Sequence, residues 1–167
     1  MDFSLSEEQR MLKDTVERLV RETYDFEKRQ KIADTEEGFS REVWGQLAEL
    51  GLLGVPFPED FGGLGGGGID LMIVGEAIGQ GLVVEPYLAT VVLGGGLVEL
   101  LGSDTQKEEI LGAVVGGEKL LAFAHGEPDG RYETAHVRAT AEKVGGGWKL
   151  TGRKSVVLNG GEADTLI

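Results

Sequence analysis

Leu52-Leu53-Gly54-Val55-Pro56-Phe57-Pro58-Glu59-Asp60-Phe61-Gly62-Gly63-Leu64-Gly65 joins two helical patterns through a turn that neither helix nor strand can continue. Pro56 and Pro58 have no amide hydrogen to donate, and their rings clash with a preceding helical turn. Upstream, Ser40 is placed to cap a helix that turns Val43, Trp44, Leu47 and Leu50 inward, with Gly51 closing it. Downstream, Ile69 to about Gln80 predicts another helix. Gly75 interrupts it, and its missing side chain predicts close approach to a neighbouring helix. The segment is therefore a helix-to-helix connection, with Glu59 and Asp60 ordering the turn.

Outward from it the periodicity stays helical on both sides. Ser6-Glu7-Glu8-Gln9 reads as a capping box, followed by a stripe of Leu12, Val16, Leu19, Val20 and Thr23, and the helix is expected to run to about Ala33. Lys13, Asp14, Glu17, Arg18 and Arg21 form its solvated face. Pro86 opens a further helix through Leu88, Val91, Val92 and Leu97 to Leu101, stopped by Gly102. Ser103-Asp104-Thr105-Gln106 is a second capping box, for a helix through Ile110, Leu111 and Val114 that ends at Gly116-Gly117.

After Glu118 the period changes to two. Strands are expected at Leu120–Ala124, at His136–Val144, at Trp148-Lys149-Leu150 after a Gly145-Gly146-Gly147 hairpin turn, and at Ser155–Leu158. Trp44 belongs to the core, and Trp148 to cross-strand packing. Helices first and strands after predict an α+β chain. An all-helical domain occupies residues 1–117 and part of a β-domain residues 118–167. Asp164-Thr165-Leu166-Ile167 reads as a strand just beginning, so the chain is expected to be part of something larger or to be completed by another polypeptide.

Composition narrows the function classes. At 167 residues and 41% hydrophobic the chain can bury a core. It has no cysteine for disulfides or thiolate metal sites, and its two histidines, His125 and His136, lack ligand spacing. A formal charge of −13 argues against nucleic acid or an anionic membrane as partner. No apolar run is long enough for a membrane span, and Asp2 with the acidic segment after it is unlike a leader peptide. A cytoplasmic protein is the expectation.

Gly63-Leu64-Gly65-Gly66-Gly67-Gly68 formally fits G-x-G-x-x-G, with Glu85 about twenty residues on, where a ribose ligand would stand. Such a loop needs a preceding strand to aim its amides at a pyrophosphate. Here the preceding segment carries two prolines and follows a helix, so the glycines are read as a turn.

Several segments, in order, resemble the acyl-CoA dehydrogenases. They are Phe3-Ser4-Leu5-Ser6-Glu7-Glu8-Gln9, Leu50 to Gly65, Val84-Glu85-Pro86-Tyr87-Leu88-Ala89, Leu101-Gly102-Ser103-Asp104-Thr105-Gln106-Lys107 and Trp148-Lys149-Leu150-Thr151-Gly152-Arg153-Lys154. The resemblance implies a helical domain, then a small β-barrel, then a C-terminal helical domain that is missing here. It also implies FAD between the last two domains and association with similar subunits, as a homo- or hetero-oligomer. In the family's reaction a carboxylate base removes the α-proton of an acyl-CoA substrate while flavin N5 takes the β-hydride. Electrons then pass to an electron-transferring flavoprotein. The chain has no position matching the C-terminal base, so no catalytic residue and no metal ligand is assigned.

The resemblance places the flavin contacts at Phe123, His125, Gly126, Tyr132, Val156 and Leu158, and this sequence departs from the pattern at most of them. Gly126 stands where the family has Thr or Ser before Glu-Pro, and Tyr132-Glu133 where it has Ser-Asp. Val156 replaces an aromatic ring, and Leu158 a second hydroxyl, ahead of Asn159. Glu127, beside Pro128, is structural in the family rather than a base. Bacterial relatives acting on steroid side-chain thioesters resemble heterotetramers in which one subunit type carries a degenerate flavin site. Two readings follow: a flavin-linked catalytic subunit, or a non-catalytic one that assembles with a catalytic paralogue.

Overall fold

A computed structural model describes residues 4–167; Asp2 and Phe3, read above as part of the N-terminal pattern, lie outside them. Helix α1 spans Glu7–Thr23 and begins on the expected capping box. Ser6 Oγ accepts from Gln9 N at 3.1 Å, and Gln9 Oε1 accepts from Ser6 N at 3.1 Å. The helix does not run on to Ala33. It stops at Tyr24, and Asp25 caps a separate α2, Phe26–Ala33, by accepting from Lys28 N at 2.7 Å. The aspartate competes for the backbone, and a Tyr24 hydroxyl bonded to buried Glu85 holds the break in place.

Helix α3, Arg41–Glu49, is capped by Ser40, and Gly51 takes the left-handed conformation just beyond it. Two short 3-10 turns, Leu52–Gly54 and Glu59–Phe61, make the proline connection to α4, Gly68–Gly81. The connection is the centre of the core: Leu52, Leu53, Val55 and Phe57 are all buried with Val16, Trp44, Leu47, Ile73 and Val74. Trp44 is buried as expected and donates Nε1–H to Gly117 O at 3.1 Å.

Gly75 corrects one expectation, because a side chain there would meet nothing within 4 Å. The close approach is at Gly81, where a Cβ would lie 2.2 Å from Val20 Cγ1 of α1.

After Pro86 the chain winds as a π-helical segment, Leu88–Gly95, that passes directly into α5, Gly96–Leu101, and stops at Gly102. Helix α6, Asp104–Val115, starts on the second capping box. Strand β1 is confined to Leu121–Ala122 and pairs in parallel with β4, Thr165–Leu166. Strands β2, Thr140–Val144, and β3, Gly147–Thr151, form the antiparallel hairpin, in register from Thr140–Thr151 to Val144–Gly147.

Three strand expectations shrink. Leu120–Ala124 is reduced to β1, residues 136–139 do not join the ladder and Ser155–Leu158 is irregular, while Trp148 sits opposite Lys143 in the hairpin and is 65% exposed. Every residue of β2 and β3 is exposed, so the hairpin has no second layer against it among the described residues.

Candidate functional site

The glycine-rich turn is disqualified as a phosphate cradle by its hydrogen bonds. Leu64 N donates to Gly54 O at 2.9 Å, Gly65 N to Phe57 O at 2.8 Å and Gly66 N to Val55 O at 2.8 Å. Those amides close the turn and are not free for an anion. A Cβ at Gly63 would lie 2.0 Å from Phe57 O, which explains glycine there by close backbone approach. Glu85 is 5% exposed and accepts from the Tyr24 hydroxyl and from Ser40 N at 3.1 Å, so it ties α1 to α3 and is no ribose ligand. Burial and the Glu85 contact push the Tyr24 hydroxyl well above the usual phenol range.

The six residues expected at the flavin lie in the β half, and only some are brought together. Phe123 and His125 stand two residues apart on the irregular segment after β1, and their rings stack with centroids 5.1 Å apart. Phe123 also lines a groove of about 290 Å³ with Leu97, Val98, Leu101, Ile110 and Ile167. His125 Nε2 lies 2.9 Å from Thr134 O. Gly126 O accepts from Ser155 N at 2.8 Å, which sets the two expected flavin segments side by side. Tyr132 is fully exposed in the loop, Val156 is 94% exposed with φ +54°, and Leu158 is half-exposed.

Between these positions sits a polar clasp. The Glu127 carboxylate accepts from Arg138 N at 2.7 Å, Ala139 N at 3.0 Å and Lys154 Nζ at 3.0 Å. Lys154 also donates to His125 O at 3.2 Å. The two backbone amides and then the lysine hold the Glu127 carboxyl down at about 2. A carboxylate so fully hydrogen-bonded is a poor proton acceptor, in keeping with a structural role.

Lys154 carried no signal of its own in the sequence, since its partner is 27 residues away and meets it only through the hairpin. Asp164 was likewise missed: its Oδ2 accepts from Leu120 N at 2.8 Å and anchors the start of β4 to β1.

The side chains at the flavin positions do not fit the donor set that the resemblance calls for. Gly126 and Leu158 present no hydroxyl, Val156 no ring, and the Tyr132 side chain stands in bulk solvent. What remains is the Phe123–His125 pair and the backbone of Gly126, whose carbonyl is already bonded to Ser155 N. A Cβ at Gly126 would come within 3.1 Å of Ser155 O, so glycine lets the two segments approach.

Residues 6–118 match the acyl-CoA dehydrogenase N-terminal domain family. The chain belongs to the acyl-CoA dehydrogenase family. It is 36% identical to the mitochondrial isovaleryl-CoA dehydrogenase of Pongo abelii over 166 residues, covering 98% of this chain and 39% of that protein. Among solved structures, the ChsE4-ChsE5 complex from Mycobacterium tuberculosis superposes with a TM-score of 0.86 at 30% identity, over 99% of this chain and 44% of the matched one. An acyl-CoA dehydrogenase from Bacillus anthracis complexed with FAD superposes with a TM-score of 0.89 at 27% identity, over 98% of this chain and 28% of that one. The chain spans about two fifths of the length of the curated relatives it matches. Among the described residues no helix is long and apolar enough to cross a membrane.

Proposed function

We propose that this chain is the N-terminal part of an acyl-CoA dehydrogenase subunit whose own flavin half-site is degenerate, and which works in an assembly with a flavin-competent paralogue. The assembly would carry out α,β-desaturation of an acyl-CoA thioester, with FAD supplying the hydride chemistry and an electron-transferring flavoprotein as acceptor. The observation that carries the reading is the loss of side-chain donors at Gly126 and Leu158 together with the exposed Val156 at the ring position. Two separate segments are affected, while the clasp that shapes them is intact. The scaffold is kept and the cofactor contacts are not, as expected of a subunit retained for assembly. Similarity to one chain of the two-protein ChsE4-ChsE5 complex supports a heteromeric setting.

The test is enoyl-CoA formation by the full-length subunit co-purified with its acyl-CoA dehydrogenase-like partner. Replacing the hydroxyl residue of the partner's own flavin segment by alanine is expected to abolish turnover. Undiminished turnover in that variant would place the catalysis in this chain and defeat the proposal.

A further inference from the structure

Strand β1 has a ladder partner on one side only, among the described residues. Leu120 O accepts from Asp164 N at 2.9 Å and Thr165 N at 3.2 Å, and Ala122 O from Ile167 N at 2.9 Å. Backbone groups alternate sides along a strand, so Leu121 turns its N–H and C=O away from β4. Leu121 is completely buried, and two unpaired backbone groups there would be costly.

A side chain takes the place of the absent strand. Thr90 Oγ1 lies 3.2 Å from Leu121 N and 3.2 Å from Leu121 O, so one hydroxyl accepts from the amide and donates to the carbonyl. Thr90 is itself 0% exposed, among the apolar residues Ala89, Val91 and Val92. Packing alone would be served there by valine, which has the same shape and neither hydrogen bond. Thr90 sits in the π-helical segment, and Gly94, about one turn on, approaches the same residue: a Cβ at Gly94 would lie 2.5 Å from Leu121 Cβ. Rare π-helical turns recur at functional positions, and here the turn brings a hydroxyl and a bare backbone onto one strand residue.

We propose that Thr90 is a positioning residue that acts as a surrogate edge strand. It sets the position at which the segment carrying Phe123, His125 and Gly126 leaves the helical core. The geometry stands independently of the proposed function; only the consequence, that the segment at the family's flavin position keeps its place although its contacts are lost, rests on that reading. Two residues after Leu121, Phe123 stacks on His125 and lines the groove against α5 and α6, so displacement of Leu121 is passed to that ring.

The experiment compares Thr90→Val and Thr90→Ser in the full-length protein, with 4-fluorophenylalanine placed at position 123. Backbone amide exchange and the fluorine chemical shift are read together, and Val74→Ala serves as a control that weakens the core elsewhere. Thr90→Val is expected to speed exchange at Leu121 by about tenfold or more and to move the fluorine resonance, while Thr90→Ser restores both. The control leaves the resonance in place. If Thr90→Val does not fold, Thr90→Cys, which offers only a weak donor, carries the same comparison. A folded Thr90→Val or Thr90→Cys protein with wild-type exchange and resonance overturns the proposal, as does an equal shift in the control. No readout involves bound flavin, so the outcome is separate from that of the flavin reading.

Discussion

Glu127 shows how one side chain can hold three segments at once. Its carboxylate takes two backbone amides from residues 138 and 139 and the ammonium of Lys154, and through Lys154 it reaches the carbonyl of His125. Its carboxyl titrates at about 2 in the folded protein, against an ordinary value of 4.5. Between those values the folded state binds fewer protons than the unfolded one, so the stabilisation is complete above pH 4.5 and is lost as pH falls toward 2. Thermal unfolding from pH 6 to pH 2 is expected to show this loss in the wild type. Glu127→Gln should be less stable at neutral pH, with a flatter acid limb; an unchanged acid limb would contradict the account.

Glu127-Pro128 was legible in the sequence as a pair with a structural role. What it bonds to was not, because Lys154 and the two amides come into range only when the hairpin folds back. The same limit applied to Thr90, which sits unremarkably in an apolar helical run and whose partner is a backbone 31 residues away.

At the scale of elements, capping chemistry was the most readable signal. Ser6, Ser40 and Ser103 each cap the helix they were expected to cap, because the bond they make is local and spans three residues. Contacts between elements were less readable, as the glycines of α4 show. Gly75 breaks the helical pattern yet faces open space, whereas Gly81, inconspicuous at the helix end, is pressed against Val20. Leu82, not Gly81, then adopts the left-handed conformation that terminates α4.

The two positions should respond oppositely. Gly75→Ala is expected to stabilise the chain by about 0.5–1 kcal/mol, through helix propensity alone. Gly81→Ala should cost about 1–3 kcal/mol, because a β-branched neighbour has little room to move. Urea unfolding of both variants checks this, and similar values for the two would show that the α1–α4 contact does not limit position 81. Strand expectations failed where the backbone turns away: Ser155–Leu158 has strand-like composition but no ladder, because Val156 and Asn159 bend it with positive φ.

Over the whole molecule, charge and apolar exposure are unevenly distributed. No lysine or arginine occurs between Arg41 and Lys107, a stretch that includes Glu49, Glu59, Asp60, Glu76 and Glu99. The helical half therefore presents an acidic surface, which disfavours nucleic acid and favours partners with basic rims. The β half leaves Leu150, Val156 and Leu158 exposed, together with a groove of about 400 Å³ between Ala141, Leu150, Leu166 and Ile167. Family membership was legible at this scale because many short segments, each modest alone, occur in order along the chain. The expected flavin site was less legible, since its positions lie in the least regular part of the fold.

In the proposed function the subunit keeps the family scaffold without the side chains that hold FAD. The direct measurement is the ratio of FAD to polypeptide, by visible absorbance and protein assay, in the full-length subunit purified without a partner and supplied with excess FAD. A ratio far below one is predicted, rising only in the assembly. One tightly bound FAD per polypeptide in the isolated subunit would contradict it.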